Sequence, residues 1–209
     1  MNILSIIFVV LSSFSSSSYA AILDFCVADI LAEGPGGFNC KKPEFVTVKD
    51  FTFSGLATPG NIINIGNYSL TAATVAQIPG LNGLGLSMGR LDLEVGGVFP
   101  MHSHPGVSEI ILVNSGLVNV GFITSLNAVY STIVKAGDVF VFPQGLLHFL
   151  INSGKSPAVV YVCYNSEMPG LQFLDLALFG NNLPTDVIGK ATFLDAAQII
   201  KLKAVFGGH

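Results

Sequence analysis

The sequence predicts an all-β fold, a single antiparallel barrel carrying a small helical appendage at its C-terminal end. Between about residue 45 and residue 165, short apolar runs alternate with clusters of Gly, Pro, Asn and Ser, the rhythm of many strands joined by turns. The chain is 51% hydrophobic and only 11% charged, against about 25% charged in an average soluble protein, so most of it must be covered by something. Beyond about residue 184 the pattern changes to helix formers behind a Pro.

At 209 residues the chain suits one well-packed domain. It opens on the apolar run Ile3 to Leu11, followed by a serine tract and Ser18-Tyr19-Ala20-Ala21. That pattern reads as a signal peptide over residues 1–20, cleaved after Ala20, because the run is too short to span a bilayer and ends in small residues. No later segment reads as a membrane span. The mature domain is then 21–209, with the barrel core over about 45–165 and helices over about 184–206.

Cys26 and Cys40 flank the turn Gly34-Pro35-Gly36-Gly37, and a local disulfide is the natural reading in an exported chain. Cys163, within the apolar stretch Ala158 to Tyr164, is expected to be a buried inert thiol. Asn67-Tyr68-Ser69 is an N-glycosylation sequon.

The clearest strand candidates are 84–93, 109–113, 118–124, 130–134, 139–142, 148–152 and 159–164. Several carry apolar residues on both parities, which calls for cover on both faces and so for oligomerisation. In the C-terminal part, a short helix is expected from near Thr185. A second should start at a capping box over Thr192-Phe193-Leu194-Asp195 and end near Gly207.

Net charge is −4, and the nine Lys and Arg residues are scattered, which excludes the basic stripe of a nucleic-acid binder. The chemistry concentrates elsewhere. Of four histidines, His102, His104 and His148 lie within the folded body. In an extended segment, alternate side chains share a face, so His102 and His104 can converge while Met101 and Ser103 point away. Glu109 returns on the next segment, and the turn Pro143-Gln144-Gly145 delivers His148. Three imidazoles and a carboxylate in apolar strands are costly unless a cation satisfies them, and such a set leaves open positions on a six-coordinate ion. No Gly-x-Ser-x-Gly occurs to support a serine nucleophile.

The residues fall into two boxes. One is Gly96, His102-Ser103-His104, Glu109 and Gly116; the other is Gly137-Asp138, Pro143-Gln144-Gly145, His148 and Asn152. Every fixed position resembles the paired motifs of the cupin superfamily. Further segments resemble plant germin-like proteins, among them Asp24 to Asp29, Phe38 to Lys41, Arg90-Leu91-Asp92, Phe142 to Phe149 and Phe193-Leu194-Asp195. Leu23 to Asp29 and Phe142 to Phe149 look most like the auxin-binding-protein-like branch.

The resemblance implies a cupin (jelly-roll) barrel and a manganese ion on His102, His104, Glu109 and His148. It also implies a Cys26–Cys40 disulfide and a glycosylated homo-hexamer, a trimer of dimers in the cell wall or apoplast, whose helices clasp the neighbouring subunit. Two activities go with the family, superoxide dismutation and oxalate oxidation. Oxalate oxidases carry metal-side asparagines at the places of Gly89 and Phe99, neither of which has a donating side chain, so oxalate chemistry is disfavoured. Superoxide dismutation on a small anion is the expectation, with Gln144 and Asn152 as candidates to support the site. The alternative is a non-enzymatic extracellular binding or structural protein, taking an auxin or other small carboxylate.

Overall fold

The computed structural model describes residues 24–34, 37–63 and 65–209. The expected signal peptide and its cleavage point lie outside them, as do Pro35 and Gly36 of the expected turn.

A hairpin comes first, β1 (Ala28–Gly34) with β2 (Gly37–Cys40). Two five-stranded antiparallel sheets follow and close on each other as a barrel. The first sheet runs in the order β3 (Tyr68–Ala73), β4 (Ser87–Leu93), β11 (Ala158–Tyr164), β6 (Glu109–Ser115) and β9 (Val139–Phe142). The second runs β12 (Gln172–Phe173), β5 (Val98–Ser103), β10 (Leu147–Asn152), β7 (Leu117–Ile123) and β8 (Val129–Lys135).

The two-residue period of a strand decides what faces inward. In β4, Ser87, Gly89, Leu91 and Leu93 are buried; in β6, Glu109, Ile111 and Val113; in β11, Ala158, Val160, Val162 and Tyr164. These side chains form the core with Phe99, Val118, Val120, Phe142 and Leu150. The outer face of the same sheet is also apolar, and in the single chain Ile110, Leu112, Val139 and Val141 stand exposed there. Cys163 belongs to this outer face and is exposed, which corrects its expected burial: it has the outward parity of β11. Partial burial and the Glu109 charge push its thiol pKa up, away from nucleophile chemistry.

The strand at 139–142 falls where the sequence places it, and most others differ by a residue or two. The exception is β4, which starts at Ser87 and not Leu84. Gly83 and Gly85 both take left-handed backbone, at φ 75° and 64°, so residues 84–86 are spent on a turn.

The N-terminal hairpin is tied down on three sides. Cys26 and Cys40 are joined by a disulfide across a Cα separation of 5.0 Å. Asn82 Nδ2 donates to the carbonyl of Phe38 at 3.2 Å, and Lys41 pairs with Asp50 at 2.5 Å.

Three helices end the chain, α1 (Leu174–Phe179), α2 (Thr185–Thr192) and α3 (Ala196–Phe206). The first was not apparent from periodicity, being only six residues long. The expected capping box shifts by one turn. Thr192 closes α2, and Asp195 caps α3 by accepting from Gln198 N while the Gln198 side chain bonds back to Asp195 N. Phe179, Ile188 and Ile199 make a second small core, in which buried Lys203 donates to the carbonyls of Asn181, Leu183 and His209. Among the described residues, no helix is long and apolar enough to cross a membrane.

Candidate metal centre

Three strands bring four buried side chains to one point inside the barrel. His102 lies one residue from the end of β5, with His104 just beyond it, Glu109 opens β6 and His148 lies near the start of β10. His102 and His148 are register partners across β5 and β10, and that pairing carries an irregularity immediately after His148, where the strand is re-aimed next to the site. One ligand atom from each of the four residues lies within 4.8 Å of all the others.

The tautomers are set by chemistry. Nδ1 of His102 meets the carbonyl of Pro100 at 2.7 Å, Nδ1 of His148 meets that of Leu146 at 2.8 Å, and Nδ1 of His104 meets that of Gly170. A carbonyl can only accept, so each Nδ1 is the protonated nitrogen and each Nε2 of a neutral ring presents a lone pair. Those lone pairs converge on one another and on the Glu109 carboxylate.

Glu109 Oε2 lies 3.3 Å from His148 Nε2 and 3.1 Å from His104 Nε2, the latter without hydrogen-bond alignment. His102 Nε2 and His104 Nε2 have no hydrogen-bond partner although both are buried. Without a cation this arrangement sets lone pairs against a carboxylate in a dry interior, and with one every donor is satisfied. The residues therefore fit a divalent metal ion.

Electrostatics agree. Burial, together with the neighbouring His148, pulls the His102 pKa down to about 3, so the ring is neutral and able to ligate. Burial alone would raise Glu109; hydrogen bonding and charge attraction from His104 and His148 outweigh it and hold the carboxyl at about 2, which in the metal-free protein requires a proton on Nε2 at the place a metal ion would otherwise take.

Aromatic rings from the barrel wall pack on every imidazole, with Phe173 joining Phe99 on His102 at 5.6 Å. Phe99 packs on His102, Phe142 on His148 and Tyr164 on His104, with centroids 4.6, 4.3 and 4.8 Å apart. Phe99 also contacts Tyr68 and Phe173 edge-on, which fills the interior beside His102. Gly89 lies on the inward face of β4, where a Cβ would already come within 3.1 Å of the Val162 side chain.

Two other expected participants are elsewhere. Asn152 is buried, but it spends its amide on the carbonyls of Leu93, Glu94 and Ser156 and accepts from Gly154 N, which makes it a turn fastener. Gln144 is exposed in its turn. Conversely, Tyr164 and the Gly170 carbonyl were not anticipated. Tyr164 was accessible from strand parity, since it shares the inward face with Val160 and Val162, whereas the Gly170 contact spans 66 residues and leaves no local signal.

Comparison with known proteins places this geometry. Residues 54–200 match the cupin family. An auxin-binding protein, ABP20, of Prunus persica is 58% identical over 194 residues, which cover 92% of this chain and 91% of that one. Germin-like protein subfamily 3 member 1 of Arabidopsis thaliana is 55% identical over 199 residues, covering 95% and 96%. Among solved structures, an oxalate oxidase in complex with the substrate analogue glycolate superposes with a TM-score of 0.85 at 39% identity, covering 89% of this chain and 96% of that chain. The chain belongs to the cupin family, and within it to the germin-like proteins.

Proposed function

We propose that this chain is a secreted, manganese-binding germin-like protein of the plant cell wall that dismutes superoxide. The observation that carries the reading is the set of three Nε2 lone pairs and one carboxylate buried within 4.8 Å of each other, with two of those nitrogens otherwise unpartnered. The set is nitrogen and oxygen only, with no thiolate, which admits manganese along with iron and zinc, and it is the likeness to germin-like proteins that selects manganese among them. Bound there, manganese would supply one-electron exchange, so that two superoxide ions and two protons become dioxygen and hydrogen peroxide.

The chain's own residues do the rest. The carbonyls of Pro100, Leu146 and Gly170 hold the rings in the ligating tautomer, and the aromatic shell keeps the interior dry. Phe99 and Gly89 place no donor beside the ligands, so a dicarboxylate would lose its hydrogen bonds on entry, and oxalate oxidation is disfavoured. The exposed outer face of Ile110, Leu112, Val139 and Val141 supports assembly into a hexamer, a trimer of dimers with the helices clasping a neighbour. Asn67 is exposed, as an acceptor of carbohydrate has to be, and the N-terminal leader supports export.

Superoxide dismutation by the manganese-loaded protein and by a His104→Ala variant tests the activity. Wild-type turnover that the variant loses supports it, and equal rates in the two overturn it. A second reading, a non-enzymatic binding protein for auxin or another small carboxylate, draws on the name of the Prunus persica relative and on the apolar barrel lining. Saturable binding of an indole carboxylate without superoxide turnover would favour it.

A further inference from the structure

A cavity of about 490 Å³ lies where the C-terminal helices meet the barrel, and three aromatic rings line it: Tyr68 of β3, Phe173 of β12 and Phe206 of α3. Each ring is held by a neighbour. Phe99 packs edge-on against Tyr68 at 4.8 Å and against Phe173 at 5.3 Å, while Phe179 stacks on Phe206 at 6.2 Å. A ligand entering the cavity therefore meets aromatic walls already in place.

The rest of the lining is apolar, from Ile63, Ile65, Pro100, Leu176 and Val205, with the exception of Asp175 in the first turn of α1. Asp175 is thus the one charged residue in the cavity. Its Oδ1 accepts from Leu176 N at 2.7 Å, and among the described residues Oδ2 has no partner. Tyr68 is 6% exposed, and among the described residues its hydroxyl makes no hydrogen bond. Burial, and with it the Asp175 carboxylate, push the Tyr68 pKa up, so the charge of Asp175 reaches that hydroxyl.

An aromatic-walled space with a single carboxylate discriminates by charge. Asp175 repels an anion, whereas an ammonium is drawn both by the carboxylate and by the quadrupoles of the rings. Ile63, Ile65, Leu176 and Val205 are each at least 44% exposed, which leaves apolar surface for the body of a ligand to cover.

We propose that this cavity binds a small organic ammonium ion, its charge paired with Asp175 among the rings of Tyr68, Phe173 and Phe206 and its apolar body on Ile63, Ile65 and Val205. The site is separate from the metal centre and does not rest on it. Its charge also excludes an auxin-like carboxylate from this cavity.

Phenethylammonium is the probe, and 3-phenylpropan-1-ol and 3-phenylpropionate keep its ring and chain while removing or reversing the charge. In calorimetric titration of the assembled protein, phenethylammonium should bind saturably, and the alcohol and the acid at least about tenfold more weakly. Asp175→Asn should bind phenethylammonium about tenfold more weakly than wild type. Asp186→Asn, exposed on α2 beside Lys190, should match wild type. Equal affinity in wild type and Asp175→Asn overturns the proposal, as does the absence of saturable binding, the result expected if a neighbouring subunit fills the cavity.

If Asp175→Asn does not fold, zinc-loaded wild type labelled with 13C at the tyrosine ring decides. Phenethylammonium should shift one of the five tyrosine resonances, and 3-phenylpropionate at the same concentration should shift none. No shift with phenethylammonium, or equal shifts with both, overturns the proposal.

Discussion

His102 and His148 face each other as register partners across β5 and β10, with ring centroids 4.0 Å apart. Burial, together with the close His148, holds the His102 pKa at about 3. In the unfolded chain the same ring titrates near 6.5, so the unfolded state binds more protons between the two values.

The metal-free protein should therefore lose stability as pH falls below about 6.5. Glu109 acts in the same direction lower down, because its folded pKa of about 2 lies below the ordinary carboxyl value of 4.5. In calorimetry with chelator present, Tm should fall steadily from pH 7 to pH 4. His102→Phe should flatten the upper part of that fall and leave the part below about pH 4.5. A wild-type Tm flat across the range would contradict the buried neutral imidazole.

Ser69 is 1% exposed, and its hydroxyl has no hydrogen-bond partner, although it sits in the sequon of exposed Asn67. An orphaned buried hydroxyl is a cost to the fold, so Ser69→Ala should be no less stable than wild type and more stable by up to about 1 kcal/mol. The same change should remove carbohydrate at Asn67 from protein made in a secreting plant cell, as Asn67→Gln should. Mass spectrometry and urea unfolding read the two effects, and a destabilised Ser69→Ala would show that the hydroxyl has a partner.

Phe99 is 4% exposed and packs on Tyr68, His102 and Phe173. Phe99→Asn should cost about 3–5 kcal/mol in urea unfolding, the range for emptying a large aromatic site. It should not by itself yield oxalate oxidation, because Gly89 still offers no donor, and a Cβ there would crowd Val162 at 3.1 Å and the Thr71 carbonyl at 3.2 Å. Oxalate turnover by this single variant would show that the interior is more permissive than its packing.

Lys203 carries its ammonium into the helical core, where three carbonyls accept from it at 3.3, 2.6 and 2.8 Å. Lys203→Met keeps the stem and strands those carbonyls, at a cost of about 2–3 kcal/mol. Hydrogen exchange should show faster opening in α1–α3 with the barrel unchanged, and uniform loss of protection would contradict a separate helical core.

The barrel and the four candidate ligands were legible because both follow from short-range rules. Period-two alternation puts Glu109 inward with Ile111 and Val113, and it puts His148 inward with Leu150. What escaped was decided at long range or by competition between local motifs. Cys163 reads as core among Val160, Val162 and Tyr164, yet its parity sends it outward. Asn152 occupies a motif position, but the three carbonyls it gathers come from the end of β4, the turn after it and the turn after β10, which only the folded barrel brings together. The cap of α3 moved because Thr192 and Asp195 both compete for the role, and α2 had already taken Thr192 as its last residue.

The central claim is that His102, His104, Glu109 and His148 hold one manganese ion. Elemental analysis of protein purified from its native source, without added metal, tests it most directly. The account predicts about one manganese per chain, and none after His102→Ala or His148→Ala in protein that still unfolds cooperatively. Metal-free native protein, or a full manganese complement in either variant, would contradict it.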